Sequence, residues 1–163
     1  MIIVKRSENL LFKKLKFKCS LGKNGVTKNK VEGDKCTPSG VYRLKQVFYR
    51  ADRINKITTN LKKIKIKKNM GWCDDPSSKR YNRLIKIPYK FSHEKLYRKD
   101  HIYDIVVILN YNMNPVVKKR GSAIFMHITK KNYLKTLGCI ALKKNDLLEI
   151  LNRVKKDNII KII

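Results

Sequence analysis

No apolar run in this sequence approaches the roughly 18 residues that a membrane-crossing helix needs. The opening, MIIVKRSENLLFKKLKFKCS, has Lys and Arg breaking each apolar stretch, so it lacks the continuous apolar region of a secretory signal. A cytoplasmic protein is expected on that ground, with a periplasmic location as the alternative. Proline and glycine are scarce, at 4 and 7 of 163 residues, and no repeat or linker-like stretch divides the chain. A single domain over residues 1–163 is therefore expected. The four cysteines, Cys19, Cys36, Cys73 and Cys139, include no CxxC pair, and no HxxxH occurs either. That spacing argues against a zinc site, and neither a metal nor another cofactor is expected. Without a secretory signal, the cysteines read as free thiols rather than a disulfide framework.

Acidic residues are also few: 12 Asp+Glu stand against 40 Lys+Arg, a formal net charge of +28. Abundant Ile, Asn and Lys fit an AT-rich coding bias, but such a bias does not account for the shortage of acids. The excess sets up a field that attracts anions of any kind. A basic nucleic-acid-binding module is thus one candidate. No helix-turn-helix, zinc finger or RNP-like aromatic motif is present, so only non-specific, salt-sensitive binding is expected of it.

What is plentiful is strand pattern. Leu15, Phe17 and Cys19 alternate with Lys14, Lys16 and Lys18, and Gly22 to Gly25 (GKNG) reads as a hairpin turn. Val41 to Phe48 and Leu61 to Lys67 are β-type runs, and Tyr103 to Leu109 (YDIVVIL) reads as a strand buried on both faces. Ser122 to Ile128 and Gly138 to Leu142 suggest two more core strands. One amphipathic helix is expected, with Asn145 as N-cap, Asp146 in the first turn, and an apolar face of Leu147, Leu148, Ile150, Leu151 and Val154. Asp157-Asn158 then turns the chain into a last strand, Ile159 to Ile163. Met70 to Asp100 is polar, aromatic and turn-rich, and reads as a loop-rich insert of the kind that carries binding residues. The fold class is mainly β, a β-rich α+β arrangement with a C-terminal amphipathic helix.

Chemistry concentrates at two residues. Cys139 follows Gly138 at the start of one apolar run, and His127 lies in the preceding one. If these strands are neighbours, an imidazole comes within reach of a thiol, the pairing that makes a cysteine nucleophilic. Lys130, Lys131, Lys135 and Lys143 would favour the thiolate. Gly138 allows a close approach of backbone N–H groups to a developing oxyanion. A small buried cysteine and an unrelated core histidine are the alternative.

The segment TLGCIAL, Thr136 to Leu142, resembles the Ser/Thr-x-Gly-Cys signature of the YkuD-type L,D-transpeptidase catalytic domain. KCTPSGVYRL, from Lys35 to Leu44, is similar to that family's early Thr-Pro-x-Gly segment, and FMHI supplies an upstream histidine. GWCDDPSSKRYNRL, SHEKLYRKDHIYD, LNYN and GSAIF resemble a branch of small, signal-less members that are little more than the catalytic domain. Together these segments run from about Gly33 to the C-terminal helix. The resemblance implies the YkuD-like catalytic fold and a peptidoglycan enzyme attacking stem tetrapeptides through a thioester. In that mapping Cys139 is the nucleophile, His127 its base, Leu137 and Gly138 part of the oxyanion hole, and Thr136 a brace for the loop. Where many members carry a second histidine, a glycine and an arginine, this chain has Leu137, Ile128 and Ala141.

The expected partners are peptidoglycan stem peptides or muropeptide fragments, not a specific nucleic acid. Transfer to an amine would make an L,D-transpeptidase, and transfer to water an L,D-carboxypeptidase. The latter suits a cytoplasmic protein recycling soluble wall fragments. A catalytically inactive, fragment-binding domain is a further alternative. Arg98 or Arg120 could supply the carboxylate-binding charge that Ala141 lacks. His93 could bind substrate or stabilise its loop; Trp72 and Tyr111 could line the cleft or pack in the core. Asn110 could present its amide to the peptide or shape a turn. Asp74 and Asp75, ahead of Pro76, read first as turn-formers and second as partners for a substrate ammonium. The sequence carries no signal of oligomeric state.

Overall fold

The computed structural model describes residues 1–157 and 159–163. In chain order it forms β1 (Ile2–Lys5), β2 (Asn9–Phe12), β3 (Leu15–Lys18), β4 (Val26–Thr27), β5 (Thr37–Pro38), β6 (Gly40–Tyr49) and β7 (Lys62–Lys65). There follow β8 (Met70–Cys73), β9 (Leu84–Lys86), β10 (His93–Lys95), β11 (Ile105–Leu109) and β12 (Phe125–Ile128). A 3-10 turn at Lys131–Tyr133, β13 (Ile140–Leu142), α1 (Lys144–Arg153) and β14 (Ile159–Ile162) complete the chain. The main sheet runs β13-β12-β11-β6-β14-β1-β2-β3, with β7 also paired to β6.

The unbroken apolar run of β11 follows from where its two faces go. Ile105, Val107 and Leu109 enter one core cluster with Leu147, Ile150 and Leu151 of α1. Val106 and Ile108 enter a second cluster with Trp72, Leu96, Tyr103 and Phe125. Burial of a side chain of this size contributes about 2 kcal/mol before entropy is counted, so both layers stabilise one short strand. The same alternation continues in β12 and β13. Met126, Ile128, Ile140 and Leu142 face α1, while Phe125 and Cys139 join the opposite cluster.

Several local details differ from expectation. The helix begins at Lys144, with Lys143 at the N-cap and no side-chain cap bond, so Asn145 lies inside the first turn. The Met70–Asp100 stretch is more ordered than a loop-rich insert: β8 pairs with both β9 and β10 as a three-stranded sheet. Ile2–Lys5 and Asn9–Phe12, where no strand was expected, form a hairpin whose β1 runs parallel to β14. The turn expected at Asp157-Asn158 falls partly outside the described residues. No helix among the described residues is long and apolar enough to cross a membrane.

Candidate active site

β12 and β13 are parallel neighbours, with His127 opposite Ala141 and Met126 opposite Ile140. Strand alternation then sends His127, Cys139 and Ala141 to one face, where all three line a cavity of about 740 Å³. β13 is the edge of the main sheet. Ser20 covers it, exchanging N–H···O bonds of 2.8 and 2.9 Å with Ala141. Gly22 lies in a parallel bridge to Thr136, whose carbonyl accepts from Lys23 N–H and whose N–H donates to the Leu21 carbonyl, both at 2.9 Å. The return from β12 to β13 supplies one cavity wall through Lys130, Leu134, Lys135, Thr136 and Leu137.

His127 is buried, and its Nδ1 lies 2.9 Å from the carbonyl oxygen of Ile128. A carbonyl only accepts, so Nδ1 carries the proton and Nε2 is left with a free lone pair. Burial lowers the imidazole pKa from 6.5 to about 4, the carbonyl bond partly opposing this. The ring is therefore neutral, and basic at Nε2, at neutral pH. Tyr103 packs edge-on against it, with ring centroids 5.3 Å apart.

The lysine-based expectation of a ready thiolate is reversed. Burial raises the Cys139 thiol to about 12, with the charge of Glu94 adding to the effect. The backbone of Phe125 and the charge of Lys30 oppose this but are outweighed. Lys130 and Lys135 line the cavity, but neither overcomes the loss of hydration around the sulfur. The Sγ–H donates to the carbonyl of Ala123 at 3.1 Å. The resting pair is a neutral thiol and a neutral imidazole.

The turn before Cys139 is held by hydrogen bonds of its own. Gly138 has φ of +137°, and a Cβ there would lie 2.8 Å from the Cys36 carbonyl oxygen, so only glycine fits. Its N–H is already bonded to Thr136 Oγ1 at 3.1 Å. Thr136 Oγ1 in turn donates to the Cys139 carbonyl at 2.6 Å, which places Thr136 as the brace of the turn. Leu137 points outward, 72% exposed, at the cavity lip.

His93 and Arg98 line this cavity. His93 Nδ1 also bonds the Phe91 carbonyl at 2.7 Å, so it stabilises its loop as well. Arg98 is held by Asp100 at 2.7 Å and lies over the Tyr103 ring. Four other expected residues are placed elsewhere. Trp72 is buried edge-on against Phe125, and its Nε1–H donates to Asn82. Asn110 closes the end of the β6–β11 ladder, its Oδ1 accepting from Arg43 N–H at 2.7 Å. Tyr111 packs edge-on against Tyr42 and donates its hydroxyl to the Arg120 carbonyl. Tyr111 and Arg120 line a separate hollow with Lys28 and Lys30, away from Cys139.

Asn82 stands in the GWCDDPSSKRYNRL string but carries no site motif of its own. Its Oδ1 accepts from Trp72 and from Ala123 N–H at 3.1 Å, while its Nδ2 donates to the Tyr111 and Asn112 carbonyls. Glu94 likewise carries none. It accepts the Tyr103 hydroxyl and lines the cavity wall beside Cys139.

Comparisons with known proteins bear on the fold and on the family. In solved structures the chain is similar to the helical cell shape determining protein Pgp2 from Campylobacter jejuni, with 17% identity and a TM-score of 0.52. A variant of that protein gives 16% and 0.51. This chain is covered to 99% in both and spans less than half of theirs, 46% and 45%, so the likeness concerns the fold. No curated protein matches the sequence. Residues 1–162 match the family described as the YkuD L,D-transpeptidase catalytic domain, and the chain belongs to that family.

Proposed function

We propose that this protein is a cysteine acyl-transfer enzyme acting on peptidoglycan stem tetrapeptides, with Cys139 as nucleophile and His127 as base. The observation that carries this reading is the placement of His127 on β12 and of Cys139 immediately before the neighbouring parallel β13, both lining one cavity, with Nε2 left as the free imidazole nitrogen. Cys139 Sγ attacks the carbonyl carbon of the diamino acid as its proton passes to His127 Nε2, and a C–S bond forms. Because the resting thiol is so weakly acidic, this transfer accompanies attack rather than preceding it. The oxyanion is received by backbone N–H groups of the 137–139 turn, Gly138 exchanging its Thr136 partner for it. The C–N bond to terminal D-alanine then breaks, and His127 returns the proton to the leaving amine. An amine or water attacks the thioester, giving its proton through His127 to the departing sulfur.

The test is incubation with a soluble disaccharide tetrapeptide, with and without added D-amino acids, followed by product masses. Loss of alanine alone identifies an L,D-carboxypeptidase; dimers or exchanged termini identify an L,D-transpeptidase. An unchanged tetrapeptide rejects the enzymatic reading.

A further inference from the structure

Strand alternation gives β6, β14, β1, β2 and β3 two very different faces. Ile2, Val4, Leu10, Phe12, Ile160 and Ile162 turn inward and enter the core cluster shared with α1. The alternate residues turn outward, and their register sets Val41, Lys161, Ile3, Leu11 and Lys16 in one row across all five strands. At the usual strand spacing that row is roughly 19 Å long. Arg43 and Ile159 form the row on one side of it, and Lys5 and Asn9 the row on the other. The layer that covers the outer side of β11 and β12 does not extend here, since Ile3, Leu11, Val41 and Ile159 belong to neither core cluster. Val41 is 57% exposed.

The charge on these rows is of one sign. Of the 12 Asp+Glu in the chain, none stands in any of the five strands. Glu8, in the β1–β2 turn, is ion-paired with Lys135, and Asp157 lies ahead of β14. Lys5, Lys16, Arg43 and Lys161 are exposed and enter none of the ion pairs among the described residues. A second copy of the chain fits such a face badly, because it would set these cations against each other. A nucleic acid would meet the cations but leave the aliphatic side chains without a partner, and no aromatic ring stands in the rows for a base to stack on. An anionic bilayer surface satisfies both kinds of side chain. The aliphatic groups enter the acyl boundary while the long cationic side chains reach out to the lipid phosphates.

We propose that this outer face of β6, β14, β1, β2 and β3 docks the protein on an anionic phospholipid surface, lying on the bilayer and not crossing it. No residue of the three rows lines the Cys139 cavity, so the docking face stands apart from the acyl-transfer reading.

The test is co-sedimentation with vesicles of phosphatidylcholine alone and of an equimolar mixture of phosphatidylcholine and phosphatidylglycerol, at physiological salt. The protein is expected to bind only the mixed vesicles. K16E/K161E is expected to weaken that binding by about a hundredfold, and V41T/L11T by about tenfold. K62E/K65E makes the same change of charge on β7, outside the rows, where both lysines are exposed, and is expected to keep most of the affinity. If Leu11→Thr disturbs the fold, V41T alone is read the same way. Failure to bind the mixed vesicles overturns the proposal. So does an equal loss in K16E/K161E and K62E/K65E, the mark of diffuse charge attraction. Binding that falls in K16E/K161E but is unmoved in V41T/L11T also overturns it; tighter binding of a random-sequence DNA duplex, lost in K16E/K161E, then assigns the rows to a polyanion. Self-association that V41T/L11T abolishes, without vesicle binding, assigns them to a second copy instead.

Discussion

Asn82 Oδ1 accepts the backbone N–H of Ala123 at 3.1 Å, and the carbonyl of Ala123 is the group that receives the Cys139 thiol. One buried amide thereby pins the residue whose carbonyl receives the Cys139 thiol. Both residues sit at positive φ, 55° for Asn82 and 51° for Ala123, so the arrangement needs its hydrogen bonds to hold it. Asn82→Ala is expected to cost about 2–4 kcal/mol of stability, because it strands the Trp72 and Ala123 donors and two carbonyls in a dry region. Urea denaturation measures this. Asn82→Asp keeps the acceptor but loses both donors, and is expected to fall between the two.

Substituting Cys139 by Ala should abolish turnover and leave the urea midpoint close to the parent value, since the thiol's one side-chain bond is a weak S–H donor. His127→Ala is expected to lower kcat/KM by at least about a thousandfold, the scale of losing an activating base. An active Cys139→Ala protein would remove the nucleophile assignment.

Below pH 6.5 an unfolded His127 takes a proton that the buried folded form refuses until about pH 4. The unfolded state therefore binds more protons in that window, and His127 lowers stability progressively as pH falls from 6.5 toward 4. The full effect is about 3 kcal/mol by linkage. Glu94 works in the opposite sense, since burial raises its pKa and favours the protonated folded form. The measurement is consequently a difference: His127→Phe should flatten the pH dependence of the urea midpoint relative to the parent. Equal slopes would show that the ring is hydrated in solution.

Under the proposed mechanism, the same depressed pKa sets the acid limb of turnover. The free enzyme keeps its imidazole neutral down to about pH 4, so kcat/KM should not fall at the 6.5 of an ordinary histidine. A limb near 6.5 would contradict the buried, Nδ1-bonded ring.

Thr136 and Gly138 brace the turn that leads into Cys139. Thr136→Val removes both the bond to Gly138 N–H and the bond to the Cys139 carbonyl, and is expected to cost about 1–2 kcal/mol; Thr136→Ser should restore most of it. Gly138→Ala meets both a φ of +137° and the Cys36 carbonyl at 2.8 Å. It should cost about 2–4 kcal/mol and slow Cys139 acylation together. Thermal denaturation and single-turnover acylation check the pair of changes.

Much of this was legible because it is local. The IVVIL run of β11, the LKFK alternation of β3 and the Leu147, Ile150 and Leu151 stripe each state their burial in a few consecutive residues. Cys139 and His127 were legible as a pair because glycine before cysteine and histidine in an apolar strand are both unusual. What stayed hidden depends on who faces whom across the fold. Asn82 reads as an ordinary turn residue until Trp72 and Ala123 arrive from distant parts of the chain. The thiol's character was misjudged because counting nearby lysines weighs charge and omits dehydration, and dehydration is the larger effect here.

β12 and β13 run the same way, so the chain between them must travel back along the sheet before the second strand starts. That returning stretch, residues 129–139, contributes no named strand, touching the β pairing only through Thr129 and Thr136, yet it builds a wall of the cleft. Chemistry and selectivity are therefore written in different parts of one short passage. Insertions or exchanges at Leu134 or Leu137 would reshape what the cleft admits, while the strand register keeps imidazole and sulfur where they are. On the proposed reading, such changes alter which substrates enter and leave the Cys139–His127 pair in place.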